Sequence, residues 1–236
     1  MARKGKGRPK RQRRRQQRAQ YEELDKYPVA PPHAFARIVR DLRTLNIMYQ
    51  AIEPPLTKAE QRDFELIMDI FVKSVTADIE EIDTDPAGYL RAAMDQVIKS
   101  YSLRITKKSR SKIFYYLKRD LLGYGRMDVL MNDSNVEDVS LDGTGIPIFA
   151  YHRKFESVET SIAWPDDDEL ESYIIKLAQR CGKHISVAEP LLDATLMDGS
   201  RIVMKLGYEI STKGSTFCIR RFREDPFSPC DIIAFR

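Results

Sequence analysis

Ten basic side chains crowd the first twenty residues (Arg3, Lys4, Lys6, Arg8, Lys10, Arg11, Arg13, Arg14, Arg15 and Arg18), with no acidic residue among them. A solvated run of this density attracts polyanions, nucleic acid by counterion release or anionic lipid by surface potential, and Arg8, Lys10, Arg11, Arg13, Arg14 and Arg15 are its densest part. The same residues also make a solubilising tail that needs no ligand. With ten basic and no acidic residues here against a chain total of +4, the remainder carries −6, so the body is mildly acidic. Gly5, Gly7 and Pro9, and the lack of an aromatic before Tyr21, leave the run unable to bury enough surface to fold. Residues 1–27 are therefore expected to be a disordered basic arm.

Other reactive residue types are scattered. His33, His152 and His184 stand far apart with no ligand spacing around them, which argues against a zinc site or a catalytic triad. Asp166, Asp167 and Asp168 cluster, but a helix N-terminus accounts for three carboxylates without catalysis. Cys181, Cys218 and Cys230 are odd in number and lack metal spacing, as expected of reduced thiols in a cytoplasm. Two Gly-Lys pairs invite a phosphate-loop reading and fail it. Gly5-Lys6 lies too near the start, and Gly182-Lys183 has Leu177 where the first glycine belongs and His184 where Ser or Thr belongs. No nucleophile has a base beside it in the sequence. With 42% hydrophobic residues, no membrane-length apolar run and no apolar stretch at the start, the chain reads as an intracellular protein with one or two cores.

The elements that must hold such residues follow from periodicity. Phe35 to Ile52 mixes β-branched, aromatic and basic residues and reads as a hairpin that Pro54 and Pro55 stop. Thr57 with Glu60 forms a capping box, and Phe64, Ile67, Met68, Phe71, Val72 and Val75 share one face of a helix expected to reach about Glu81. Asp85 before Pro86 opens a second helix with the stripe Leu90, Met94, Val97, Ile98 and Tyr101. A third carries Ile113, Phe114, Leu117 and Leu121 before Gly123 ends it. Residues 28–123 are thus a hairpin and a three-helix bundle, whose stripes are core rather than binding surface. From Val136 the period becomes strand-like: Val139 and Leu141, Ile148 and Ala150, and Phe155 and Val158 alternate, and Asp198-Gly199 is a hairpin turn between Leu191–Met197 and Arg201–Gly207. Asp166 with Glu169 caps an intervening helix striped by Leu170, Tyr173, Ile174 and Leu177 and closed by Gly182. The fold class is α+β: a small helical bundle, then an antiparallel sheet with a helix on one face.

Five blocks occur in a set order within this frame: Leu122 to Asp128, Val136 to Gly143, Pro190 to Ala194, Asp198 to Ile202, and Gly214 to Phe222. Together with Ile52-Glu53-Pro54-Pro55-Leu56-Thr57, they resemble the N-terminal portion of the type II/type IV secretion ATPase superfamily, in the branch that powers archaeal pili, archaella and secretion machines. The resemblance spans roughly residues 35 to 230. It implies that 124–223 is a sensor-like (PAS-like) N-terminal domain and that 224–236 begins a linker to a RecA-like ATPase domain, so the chain reads as a part-protein. It further implies that arginines of this domain close over nucleotide phosphates: Arg201 in Asp-Gly-Ser-Arg and Arg220 in Phe-Cys-Ile-Arg first, Arg221 and Lys205 after them. A guanidinium suits that task because it stays charged and forks across phosphate oxygens. The plainer reading is that Arg201 pairs with Asp198 or Asp193 and that alternation turns either Arg220 or Arg221 to solvent. ATP and Mg2+ are expected only with the absent domain. A hexameric ring, a membrane platform partner and a cytoplasmic place at the inner face of the membrane follow from the same resemblance. Two alternatives stay open: a nucleic-acid- or membrane-binding protein acting through the arm, and a stand-alone adaptor that joins an ATPase ring without hydrolysing ATP.

Overall fold

The computed structural model describes residues 20–74 and 85–222. The basic run from Arg3 to Arg18, the stretch from Val75 over which the first helix was expected to reach Glu81, Cys230, and residues 224–236, expected to begin a linker, lie outside them. Among the described residues, nine strands form one sheet in the order β1-β2-β3-β6-β5-β4-β9-β8-β7. They are β1 (Tyr21–Ala30), β2 (Ala34–Asp41), β3 (Ile47–Ile52), β4 (Val136–Leu141), β5 (Pro147–His152), β6 (Glu156–Ala163), β7 (Leu191–Thr195), β8 (Arg201–Lys205) and β9 (Thr216–Arg220). The helices are α1 (Lys58–Ser74), α2 (Pro86–Ser100), α3 (Lys107–Leu121), the short α4 (Asp128–Asn132) and α5 (Asp167–Arg180). The α+β class is as expected, with two differences in the strands. Tyr21 to Tyr27, assigned above to the arm, belong to β1, and the hairpin of residues 35–52 is two strands, β2 and β3, added to it. Glu22, Glu23, Asp25, Lys26 and Pro28 hide β1 from a propensity reading, since none of its residues is fully buried and the strand asks for little apolar content. The second difference is that β3 pairs β6 in parallel, Met48 opposite Glu159 and Tyr49 opposite Thr160, whereas the pairs among β4 to β9 are antiparallel.

The chain divides into two compact units. Among the described residues, one comprises 20–25, 38–50 and 134–222, the other 26–37, 51–74 and 85–133. In the second, three helices pack around Ile67, Phe71, Leu90, Met94, Ile113 and Leu117, all buried, with Phe64, Met68, Val97 and Phe114 at the margin. Burying each of these side chains contributes about 2 kcal/mol, so the stripes read from the sequence supply the core. Val72 and Tyr101 are exposed instead: Val72 sits off the stripe and Tyr101 is already the C-cap of α2. The caps are the expected ones. Thr57 N–H donates to Glu60 Oε2 at 2.8 Å while Glu60 N–H donates to Thr57 Oγ1 at 3.2 Å, and Gly88 N–H donates to Asp85 Oδ1 at 2.9 Å. Because the Thr57 amide donates to it, with help from Lys112 against the cost of burial, the Glu60 carboxyl titrates at about 2.

This unit also holds a partly buried arginine. Arg119 on α3 forks onto Glu53 at 3.0 and 2.8 Å, reaches Asp120 at 2.7 and 3.1 Å, and lies 4.5 Å over the Tyr116 ring. Tyr115 donates to the same Glu53 at 2.8 Å and Tyr116 to the Pro54 carbonyl at 2.8 Å, so α3 clasps the Glu53-Pro54-Pro55 segment that leads into α1. Burial and the Glu53 charge push the Tyr116 hydroxyl up to about 12. Burial opposes the Arg119 charge, but Asp120 and Glu53 outweigh it and hold the guanidinium above its ordinary value.

In the first unit, β6, β5, β4, β9, β8 and β7 make a sheet with an inner face of Val158, Ile148, Ala150, Val139, Leu141, Phe217, Ile219, Ile202, Met204 and Ala194, all buried. Helix α5 lies on that face. Its Leu170, Ile174, Leu177 and Ala178 are buried, and Tyr173 joins Trp164 and Phe217 in an aromatic cluster with centroids 4.8 to 6.3 Å apart. Asp166 caps α5 by accepting from Glu169 N–H, as expected. At the sheet edge, Lys183 Nζ donates to the Asp193 carbonyl of β7 at 2.7 Å. Among the described residues no helix is long and apolar enough to cross a membrane.

Candidate functional site

The outer face of this sheet carries the arginines, and two sequence blocks interlock to place them. The turn from β7 to β8 is closed by Leu196 N–H donating to the Ser200 carbonyl and by Ser200 N–H donating to Asp198 Oδ1. Gly199 sits at φ +83°, a conformation that costs glycine nothing, and a Cβ there would stand 3.2 Å from the Phe222 ring. The buried Ser200 hydroxyl accepts from Phe222 N–H at 3.0 Å. Asp198-Gly199-Ser200 is thereby fastened to the residue that ends the Phe-Cys-Ile-Arg-Arg-Phe block. One strand step inward, Arg201 on β8 is the register partner of Arg220 on β9.

Side chains alternate across a strand, so this register puts both guanidiniums on the same face, opposite to Ile202 and Ile219. Their side chains are 73% and 81% exposed. Arg201 Nη2 contacts Asp193 Oδ2 of β7 at 3.2 Å, and Arg220 Nε contacts Asp138 Oδ1 of β4 at 3.2 Å. Asp138 is the register partner of Arg220 on its other side, next to a bulge at Glu137 where β4 slips against β5. Two like charges side by side on neighbouring strands repel, and the two carboxylates flank and offset them.

The four basic residues named from the sequence separate here. Arg201 and Arg220 come together. Arg221 falls one residue past β9, where its guanidinium Nη1 donates to the Val136 carbonyl at 2.9 Å and its backbone N–H to the Glu137 carbonyl at 2.8 Å. It closes the end of the sheet. Lys205 shares the outer face but lies four residues along β8 from Arg201, about 13 Å away at strand rise, opposite Leu191 and Thr216. The plainer alternative also holds in part: Arg201 does pair with Asp193, and Arg220 rather than Arg221 faces solvent. Asp138 escaped the sequence reading because it stands 82 residues from Arg220 with no local signal linking them.

The loop between β8 and β9 is tied down. Gly207 N–H donates to the buried Ser215 hydroxyl at 2.8 Å, and Tyr208 OH donates to Asp167 Oδ2 at 2.8 Å. The Thr144 hydroxyl donates to the other oxygen of Asp167. These donors, Thr144 foremost, hold the Asp167 carboxyl below the usual range. Gly143, at φ +136°, passes so near the Lys213 carbonyl that a Cβ would sit 2.2 Å from it. Asp167 thus anchors the loops beside the arginine strands, while its neighbour Asp166 caps the helix.

The histidines stay apart. His152 is buried, its Nδ1 accepting from Lys154 N–H, while His184 is exposed. His33 Nε2 lies 2.9 Å from Ser111 Oγ, a contact across 78 residues that sequence reading could not see. Among the described residues no carboxylate orients the other nitrogen of that ring, so it is a surface hydrogen bond rather than an activated nucleophile. No group of three or more His, Cys, Asp or Glu among the described residues is placed to hold a metal ion.

No family model matches the chain. Three uncharacterized proteins of Methanocaldococcus jannaschii are similar to it: one is 40% identical over 69% of this chain, another 37% over 56%, a third 32% over 70%. Those matches span 65%, 24% and 22% of the relatives' own lengths, so the chain corresponds to about two thirds of the first and about a quarter of the other two. Among solved structures, the crystal structure of the VirB11 ATPase from the Brucella suis type IV secretion system in complex with sulphate is 20% identical over 47% of this chain and 33% of that one, with a TM-score of 0.38.

Proposed function

We propose that the chain is the nucleotide-lid portion of a secretion, pilus or archaellum assembly ATPase, presenting Arg201 and Arg220 to the phosphates of ATP held by a RecA-like domain. The observation that supports this reading is the register pairing of those two residues: two permanently charged forks stand side by side on an open sheet face, each with a single exposed carboxylate contact to give up. The order of the sequence blocks supports it independently, since the Gly199–Phe222 and Ser200–Phe222 contacts give the two arginine-bearing blocks a shared physical purpose. The RecA-like domain supplies the phosphate loop and the Mg2+ ligands. This chain supplies charge that neutralises phosphate oxygens as the β,γ bond opens. Ring assembly into a hexamer, motion passed to a membrane platform protein, and a cytoplasmic position at the inner face of the membrane belong to the same proposal. Lys205 is a secondary phosphate contact in it, reached only by a ligand that extends along β8, and Arg221 acts by holding the strand end.

The test is ATP turnover by the full chain mixed with a separately expressed RecA-like domain from the same source. Stimulated hydrolysis that is lost on Arg201→Ala or Arg220→Ala is the expected result. Absence of stimulation, with salt-sensitive binding of nucleic acid or anionic vesicles that disappears when Arg8, Lys10, Arg11, Arg13, Arg14 and Arg15 are neutralised, favours the second reading, an adaptor acting through its basic arm. That reading draws on the charge density of residues 1–20.

A further inference from the structure

The arginine pair does not stand alone on its face. Across the outer face Asp138, Arg220 and Arg201 lie in one register row, and Asp193 on β7 reaches Arg201 diagonally from the position opposite Val203, so that two cations are bracketed by two anions. Each bracket is a single contact at 3.2 Å rather than a two-pronged fork, with carboxylates 57% and 40% exposed. Exposed single-contact ion pairs are weak and exchangeable, whereas a guanidinium meeting phosphate oxygens can form two parallel bonds. An incoming anion therefore competes with two carboxylates already in place. An orthophosphate offers one phosphoryl group and can satisfy one guanidinium well; a polyphosphate offers adjacent phosphoryl groups, one for each of the two neighbouring strands.

We propose that Asp138 and Asp193 set the ligand preference of the site, acting as resident counter-ions that a polyphosphate displaces from Arg220 and Arg201 and a monophosphate does not. The proposal rests on the reading of those arginines as phosphate-facing. It makes the carboxylates specificity-determining residues: they lower affinity for every anion, and lower it most for ligands that replace only one of them. A released hydrolysis product of low charge would leave as Asp138 and Asp193 return.

The experiment uses the full chain and a readout local to the site, because the basic run at the start also attracts polyphosphate. The side-chain Nε–H resonances of Arg201 and Arg220, assigned through Arg201→Lys and Arg220→Lys, are followed by NMR during titration with inorganic tripolyphosphate and with orthophosphate. In the wild type, tripolyphosphate is expected to move both resonances at a concentration about tenfold below that of orthophosphate. In the Asp138→Asn, Asp193→Asn double variant, orthophosphate affinity is expected to rise about fivefold and the ratio between the ligands to narrow. A second double variant, Glu65→Gln with Asp69→Asn on α1, removes the same charge elsewhere and is expected to leave the ratio unchanged. If tripolyphosphate moves the resonances but the Asp138/Asp193 variant keeps the wild-type ratio, or the α1 variant narrows it equally, the counter-ion role is overturned and the arginine reading survives. If tripolyphosphate moves neither resonance in the wild type or in the Asp138/Asp193 variant, both fall together.

Discussion

Arg119 and the Arg201–Arg220 pair hold the same chemical group in opposite settings. Arg119 is 14% exposed, engages two carboxylates through several bonds and stacks on an aromatic ring, so its donors are committed to holding Glu53 and the Pro54-Pro55 segment against α3. Arg201 and Arg220 are more than two thirds exposed, each held by one contact, on a face whose opposite side is packed by α5. The rigidity sits in the backbone beneath them, in the Ser200–Phe222 bond and the register with β9, while the charged tips stay available. Arg119 is saturated, whereas Arg201 and Arg220, which we propose face a ligand, are positioned but left unsaturated.

The contrast is sharpest in stability. Arg119→Ala is expected to cost the helical unit about 3 kcal/mol, because it removes the cation that Glu53 and Asp120 share in a partly buried setting. Hydrogen exchange of the α3 amides in the full chain would register it, and a change below about 0.5 kcal/mol would end the distinction drawn here. The cap ranks next. Thr57→Ala is expected to lose about 1 kcal/mol from the same unit. Since Glu60 titrates at about 2 when folded against a reference of 4.5, its contribution is complete above pH 4.5 and disappears as pH falls toward 2. Glu60→Gln should flatten that acid limb in a pH series of denaturation midpoints, and an unaltered limb would mean that another carboxylate governs it. The smallest effect belongs to the exposed pair: Arg201→Ala and Arg220→Ala should each shift stability by less than about 0.5 kcal/mol while removing the stimulation of ATP turnover. A large loss of stability in either would place these arginines with Arg119.

What the sequence disclosed follows the range of the forces involved. The Thr57/Glu60 box, the Asp85 cap before Pro86, the Asp166 cap and the Asp198-Gly199 turn are contained within a few residues, and each forms where it was expected. The helical stripes were legible because one period decides which side is buried. Long-range pairing was not. The parallel β3–β6 contact, Glu53 with Arg119 across 66 residues and Arg220 with Asp138 across 82 have no counterpart in any local window. The site was half legible for the same reason. The arginines stood out within their blocks, and Asp193 was in view because a hairpin brings it close, but the adjacency of Arg201 and Arg220 depends on strand order.

One lysine has a consequence for how this protein behaves in company. The last strand of a sheet is a template on which a foreign chain can crystallise its own backbone, and β7, with Leu191 exposed, has the makings of a nucleation site. By placing an ammonium on the Asp193 carbonyl, Lys183 occupies an acceptor that an incoming strand would need and puts a hydrated charge in its path. At that position the edge offers an incoming strand a cation in place of a free acceptor, a colloidal safeguard built from the turn that ends α5.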